Sequence, residues 1–284
     1  MSAFLFAGRP LKRPSALPGF GPTMTATLVY LAAIVLIPLG ALIVKASSLG
    51  LGGIAHIAFE PRVFASLRVT FGVAAAAALV DLVLGLIVAW SLTRYAFPGH
   101  RLFDAMVDLP FALPTAVAGI ALSTLYAPNG WIGAILAKAG VKVAYTPLGI
   151  LIALIFVGLP FVVRAVEPVI AVIEREQEEA SATLGASRLR TLWRVVLPEL
   201  TPALLTGVAL AFARGVGEYG SVIFIAGNVP FVSEIAPLLI VVKLEEYDYV
   251  GATAIAAIML AIAFVMLLAI NAAQAWTRRS LVRG

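Results

Sequence analysis

The chain has 284 residues, of which 62% are hydrophobic and only 12% charged, and its mean hydropathy is +1.04. No single core could hide that much apolar surface, which excludes a soluble domain. The lack of cysteine excludes disulfides, thiolate metal sites and cysteine nucleophiles, and the net charge of +5 is better explained by basic loops beside a membrane than by nucleic-acid binding.

Taken in chain order, residues 1–24 form a basic tail and residues 25–276 contain six apolar runs. These runs are Thr25–Val44, Leu67–Leu92, Phe103–Tyr126, Thr146–Ile170, Thr201–Ala226 and Tyr249–Trp276, followed by a short tail at 277–284. Each reaches the roughly 20 residues that a helix rising about 1.5 Å per residue needs to cross a bilayer. The fold class is therefore all-α integral membrane with six transmembrane helices. The first run follows a basic stretch, as in a signal peptide, but it exceeds a typical h-region and five more runs follow. It is read as a retained helix.

Orientation follows from Lys and Arg placement. With the N-terminus inside, Arg9, Lys12, Arg13, Arg94, Arg101, Arg175, Arg188, Arg190, Arg194, Arg278, Arg279 and Arg283 are cytoplasmic. Lys45, Arg62, Arg68, Lys138, Lys142 and Lys243 are then outside, half as many, which puts both termini in the cytoplasm. Outside, Tyr126–Trp131 is a turn into a short apolar helix near Trp131–Ala139. The segment Val229–Asp248 has an apolar stretch, Ile235–Val242, that fits either an interfacial helix or a gate element.

Between the fourth and fifth runs lies a dense polar segment, residues 174–198. Glu174–Leu184 has good helix formers and acidic first turns, which complement the helix dipole. Gly185 is placed to end that helix in a left-handed conformation, Ser187 to cap a second helix over Arg188–Leu197, and Pro198 to stop it. A basic amphipathic loop lying on lipid headgroups is the alternative.

The spacing Glu179-Ala180-Ser181, three residues, Gly185, nine residues, then Val195-Val196-Leu197-Pro198 resembles the signature of ABC importer permeases. Ser181 stands where the family has a second alanine, and Val195 where isoleucine is common. The resemblance implies the type I ABC importer permease fold. It also implies that this segment docks on a separate ATPase through Glu179, Ala180, Ser181, Gly185, Leu197 and Pro198. No G-x-x-x-x-G-K-[ST] phosphate loop occurs in the chain, so ATP hydrolysis by that mechanism must come from another subunit.

Ionisable groups inside the runs are costly and so face a bundle interior or a wet path. Arg214 and Glu218 are one turn apart in the fifth run, and Arg164 and Glu167 are three residues apart in the fourth. Asp81, Asp104 and Asp108 lie in the second and third. Each pair fits a structural lock. Arg214 equally fits an anion-attracting position in a translocation path, tempered by Glu218.

Gly215-Val-Gly217-Glu-Tyr-Gly220 matches a dinucleotide pattern, but no strand–turn–helix surrounds it. Ala203, Gly207, Ala211 and Gly215 form instead a small-residue stripe for close helix packing, with Gly217 and Gly220 as flexible points near a gate. Pro110, Pro114, Pro160 and Pro168 predict kinks.

The stretch Pro198–Asn228, the region Tyr126–Trp131 and Lys243–Tyr249 resemble the T-type permease subunits of sulfate/thiosulfate importers, over roughly residues 25–276. That resemblance implies a bacterial inner-membrane protein paired with a W-type permease, two ATPase subunits and a periplasmic binding protein, with lipid around it. Molybdate or tungstate permeases share the Arg214–Glu218 region and stay open as an alternative. An ion-coupled secondary anion transporter needs no 174–198 segment. A membrane serine protease needs a histidine within the bilayer, and His56 and His100 fall in loops. No cofactor and no metal is expected.

Overall fold

The computed structural model describes residues 20–173 and 175–283. Arg9, Lys12 and Arg13 of the expected N-terminal tail, and Glu174 at the start of the polar segment, lie outside the described residues, whereas residues 20–24 of that tail are already helical. Two compact units divide at Leu51–Gly52. The first contains helix α1, Phe20–Ser47, with a π turn at Ala32–Leu36 just before Pro38.

The second unit begins within a short helix α2, Gly50–Ala58, and continues with α3, Pro61–Arg94. Pro61 opens α3, where its fixed φ suits a first helical turn and no N–H is missed. Next come α4, His100–Ala112, and α5, Thr115–Tyr126, then the short α6, Trp131–Lys138. α7 is Pro147–Val172 and α8 Arg175–Thr183; α9 runs over Arg188–Val216. α10, Gly220–Ile225, α11, Ala236–Glu245, and α12, Tyr249–Arg283, complete the unit. The described residues contain no strand.

Five helices are long and apolar enough to cross a membrane, or six if α4 and α5 are one broken span. The third expected span, Phe103–Tyr126, is thus two helices, α4 and α5, which meet at 111°, a break at the kink predicted for Pro114. Leu113 and Pro114 cause the break. A residue preceding proline is pushed out of helical conformation, and both residues have extended ψ, 134° and 131°. The fifth span is corrected, because α9 ends at Val216 and α10 restarts at Gly220, short of the continuous Thr201–Ala226 expected.

The core lies where α3, α7 and α9 pack together. Along the middle of α3, from Ala74 to Ala89, the buried positions are Ala74, Ala77, Ala78, Asp81, Gly85 and Ala89, while Leu79, Val83 and Ile87 face outward. Small residues inside and large apolar ones outside is the pattern expected when lipid replaces water as solvent. All four members of the α9 stripe are buried. A β-carbon at Gly207 would meet Val162 of α7, and one at Gly215 would meet Ala74 of α3, so the stripe brings three helices to backbone distance. A second cluster joins Val63 and Leu67 of α3 to Leu239 of α11 and Ile255 of α12. α11 is thus packed against α3 and α12.

Candidate functional site

The polar segment folds as two helical arms around a glycine turn. Gly185, at φ +79°, donates from its N–H to Ala182, and the Ala186 N–H donates to Ser181, the pair of bonds that closes a helix through a left-handed residue. Ser187 then caps α9 by accepting from the Arg190 N–H at 3.4 Å. The arms are tied by a hydroxyl–hydroxyl bond of 2.9 Å between Ser181 and Thr191. Serine at the alanine position of the family pattern therefore has a partner.

The predicted stop at Pro198 is corrected. Helix α9 passes through it, because a π turn at Leu192–Val196 precedes it. The Leu197 N–H reaches back to Leu192 O, so the ladder has already shifted by one residue when Pro198 arrives without a donor. Glu179, Ala180 and Gly185 are exposed together at the tip, Ser181 turns toward Thr191, and Leu197 and Pro198 lie on the shaft of α9. Around the tip, Leu184, Leu189 and Trp193 are also exposed. Bare apolar side chains among charges are what a protein contact surface offers.

Arg94, at the end of α3, holds this segment. Its guanidinium donates to Glu178 at 2.8 Å and to the Ile173 carbonyl at 3.2 Å, and lies over the Trp90 ring at 5.4 Å. Sequence reasoning counted Arg94 only as a loop cation. Nothing in the local pattern pairs it with a residue 84 positions away.

Inside the helices, Arg164 meets Glu167 at 2.6 Å as expected. It also meets Asp104 at 2.7 Å and Asp108 at 2.7 Å on α4, so one cation binds three carboxylates, two of which tie α7 to α4. Arg214 meets Glu218 at 2.5 Å. Glu218 lies in the break between α9 and α10, with its side chain 2% exposed, and accepts from the Ser221 N–H and hydroxyl at 2.8 Å. It therefore both neutralises Arg214 and caps α10. Gly217 ends α9, and Gly220 lies against Thr115 of α5. Asp81 is fully buried against Gly158, and neither of its oxygens has a hydrogen-bond partner among the described residues. No group of three metal-ligating side chains occurs among those residues.

Near α12, Asp248 accepts from the Gly251 N–H at 2.8 Å and pairs with Lys243 at 3.2 Å. The Gly251 bond first, and Lys243 after it, hold the Asp248 carboxyl below its ordinary range, while Asp248 pushes the Lys243 ammonium up.

The sequence model of the family described as "Binding-protein-dependent transport system inner membrane component" matches residues 81–283. The chain belongs to that family. The sulfate transport system permease protein CysT of Synechococcus elongatus is 53% identical over 253 residues, covering 89% of this chain and 91% of that protein. The Escherichia coli strain K12 protein of the same name is 47% identical, covering 94% and 96%. A bacterial ABC transporter involved in the import of the acidic polysaccharide alginate has the same fold, with a TM-score of 0.74 at 15% identity over 91% of this chain and 94% of that one. In this family member, then, the exposed tip at Glu179–Gly185 stands at the end of two bundle helices, and the Arg214–Glu218 pair sits within the bundle.

Proposed function

We propose that the chain is the permease subunit of an ATP-driven importer for sulfate and thiosulfate. The reading is carried by one observation: relatives named as sulfate transport permeases are 47–53% identical over about nine-tenths of the chain. The segment 174–198 is the contact for a separate ATPase, with Glu179, Ala180 and Gly185 at its tip. A second permease of the W type, two ATPase subunits and a periplasmic binding protein complete the complex. Both termini are cytoplasmic, which puts the tip on the same side as the excess of Lys and Arg.

Arg214 supplies the positive charge in the path that a tetrahedral oxyanion needs, and Glu218 weakens that attraction enough for release. Gly217 and Gly220 flank the break in the chain that would let this region move. Co-purification with ATPase activity, followed by uptake of labelled sulfate competed by thiosulfate, molybdate and tungstate, tests the proposal. Sulfate and thiosulfate should compete most strongly; molybdate prevailing at low concentration overturns the cargo, and transport without any ATPase subunit overturns the whole reading. Arg214→Met combined with Glu218→Gln, so that no buried carboxylate is stranded, should assemble normally and lose uptake. Wild-type uptake by that variant removes Arg214 from the path.

A further inference from the structure

Helix α3 carries an ion pair at each of its two ends. In its first turn Arg62 binds both oxygens of Glu234, at 2.9 Å from Nε and 2.8 Å from Nη2. Glu234 is 1% exposed and stands just before α11. Two turns further along, the Thr70 hydroxyl accepts from the Ala236 N–H at 2.8 Å, pinning the start of α11 to the same helix. At the opposite end Arg94 holds Glu178 of α8 at 2.8 Å.

Between these ends α3 runs for 34 residues without an internal proline, about 50 Å of unbroken helix. Its neighbours are different: α4 contains Pro110, α7 contains Pro160 and Pro168, and α9 contains Pro202 behind a π turn. Proline and π turns are where helices bend. Along its length α3 is held by close contacts with α7 and α9 at Ala74, Asp81 and Gly85. A displacement applied at one end of such a helix reaches the other end, whereas a kinked helix absorbs it. The ion pairs attach the two loads. A charge-assisted bond fixes position, and the two-pronged Arg62 contact fixes orientation as well.

We propose that α3 is the strut linking the ATPase-facing segment to the α10–α11 region at the far end of the bundle. Arg94 and Arg62 are its positioning residues. The inference rests on reading 174–198 as the ATPase contact. Movement of α8 on nucleotide binding pulls Glu178, Glu178 pulls Arg94, and α3 carries the shift to Glu234 and α11. Arg94 touches neither nucleotide nor cargo.

The test uses the complete complex, reconstituted in vesicles, with ATP hydrolysis and labelled sulfate uptake measured together. Arg94→Gln should keep its ATPase subunits and keep hydrolysing ATP, while uptake per ATP falls about tenfold, the size of a typical coupling between sites. Exchanging the charges, Arg94→Glu with Glu178→Arg, should restore much of the ratio, which a passive surface role would not do. At the other end Arg62→Gln alone leaves Glu234 stranded, so the double variant Arg62→Gln/Glu234→Gln is used, and it should show the same loss of ratio. An unchanged ratio in Arg94→Gln with full ATPase content overturns the strut. Loss of the ATPase subunits from Arg94→Gln also overturns it, since Arg94 would then only shape the docking surface. If the wild-type complex itself carries no ATPase subunit, the parent reading fails first and the strut falls with it.

Discussion

Arg62 grips the buried carboxylate of Glu234 with two parallel hydrogen bonds, although 172 residues separate them in the chain. Glu234 has no other cation within ion-pair distance among the described residues. Arg62→Ala therefore leaves a charge stranded in the bundle, at a cost of about 3–5 kcal/mol. The expected result is a clearly lower unfolding temperature in detergent, with most of the loss recovered in Arg62→Gln/Glu234→Gln. An unchanged temperature in Arg62→Ala would show that the pair contributes nothing.

Gly119 and Gly72 make a matched comparison. A β-carbon at Gly119 would meet the backbone of Ser221 on α10, which cannot swing aside as a side chain can; at Gly72 it would meet nothing within 4 Å. Gly119→Ala should force α5 and α10 apart and cost at least about 1–3 kcal/mol. Gly72→Ala should be neutral or gain up to about 1 kcal/mol from helix propensity. Thermal unfolding of the two variants side by side decides, and equal effects would contradict the packing described.

Gly185 separates strain from docking. Its φ of +79° costs an alanine about 1–2 kcal/mol, yet the space around it is open within this chain. Gly185→Ala should lower thermal stability modestly and lower ATPase co-purification far more. A fall confined to stability would place the glycine in the turn alone, with no close approach by a partner.

The junction of α11 and α12 should be insensitive to pH across the neutral range. The depressed Asp248 carboxyl contributes stability above its ordinary value and loses it as pH falls through the lowered one. The raised Lys243 ammonium contributes below its ordinary value and loses it as pH rises through the raised one. Protection should stay flat between about pH 5 and pH 10. The Asp248 side chain is 40% exposed, so solvent screening keeps the effect below about 1 kcal/mol. Hydrogen exchange at the Gly251 amide, corrected for intrinsic rate, measures it. A midpoint near pH 7 would mean that another group governs this turn.

The elements most legible in the sequence were those with a local cause. The apolar runs, the left-handed end at Gly185, the cap at Ser187 and the small-residue stripe from Ala203 to Gly215 each follow from residues within a few turns of one another. The i,i+3 and i,i+4 pairs at Arg164–Glu167 and Arg214–Glu218 were legible for the same reason. Pro198 was misjudged because the π turn that accommodates it depends on which α9 side chains must face the core.

By itself, then, the sequence determined that this is a helical membrane protein with a glycine-turned polar segment between two spans, because hydropathy and backbone propensity act over short distances. Only the tertiary structure decided how the charges are shared. It gave Arg164 two carboxylates from α4, placed Glu218 at the cap of α10, buried Asp81 with no hydrogen-bond partner among the described residues, and gave α3 an anchored arginine at each end. The pairings of Arg164 with Asp108, Arg94 with Glu178 and Arg62 with Glu234 join residues 56, 84 and 172 positions apart. A charge inside a bundle is held by whichever opposite charge the folded helices bring within reach, and neither partner carries a local mark of the other.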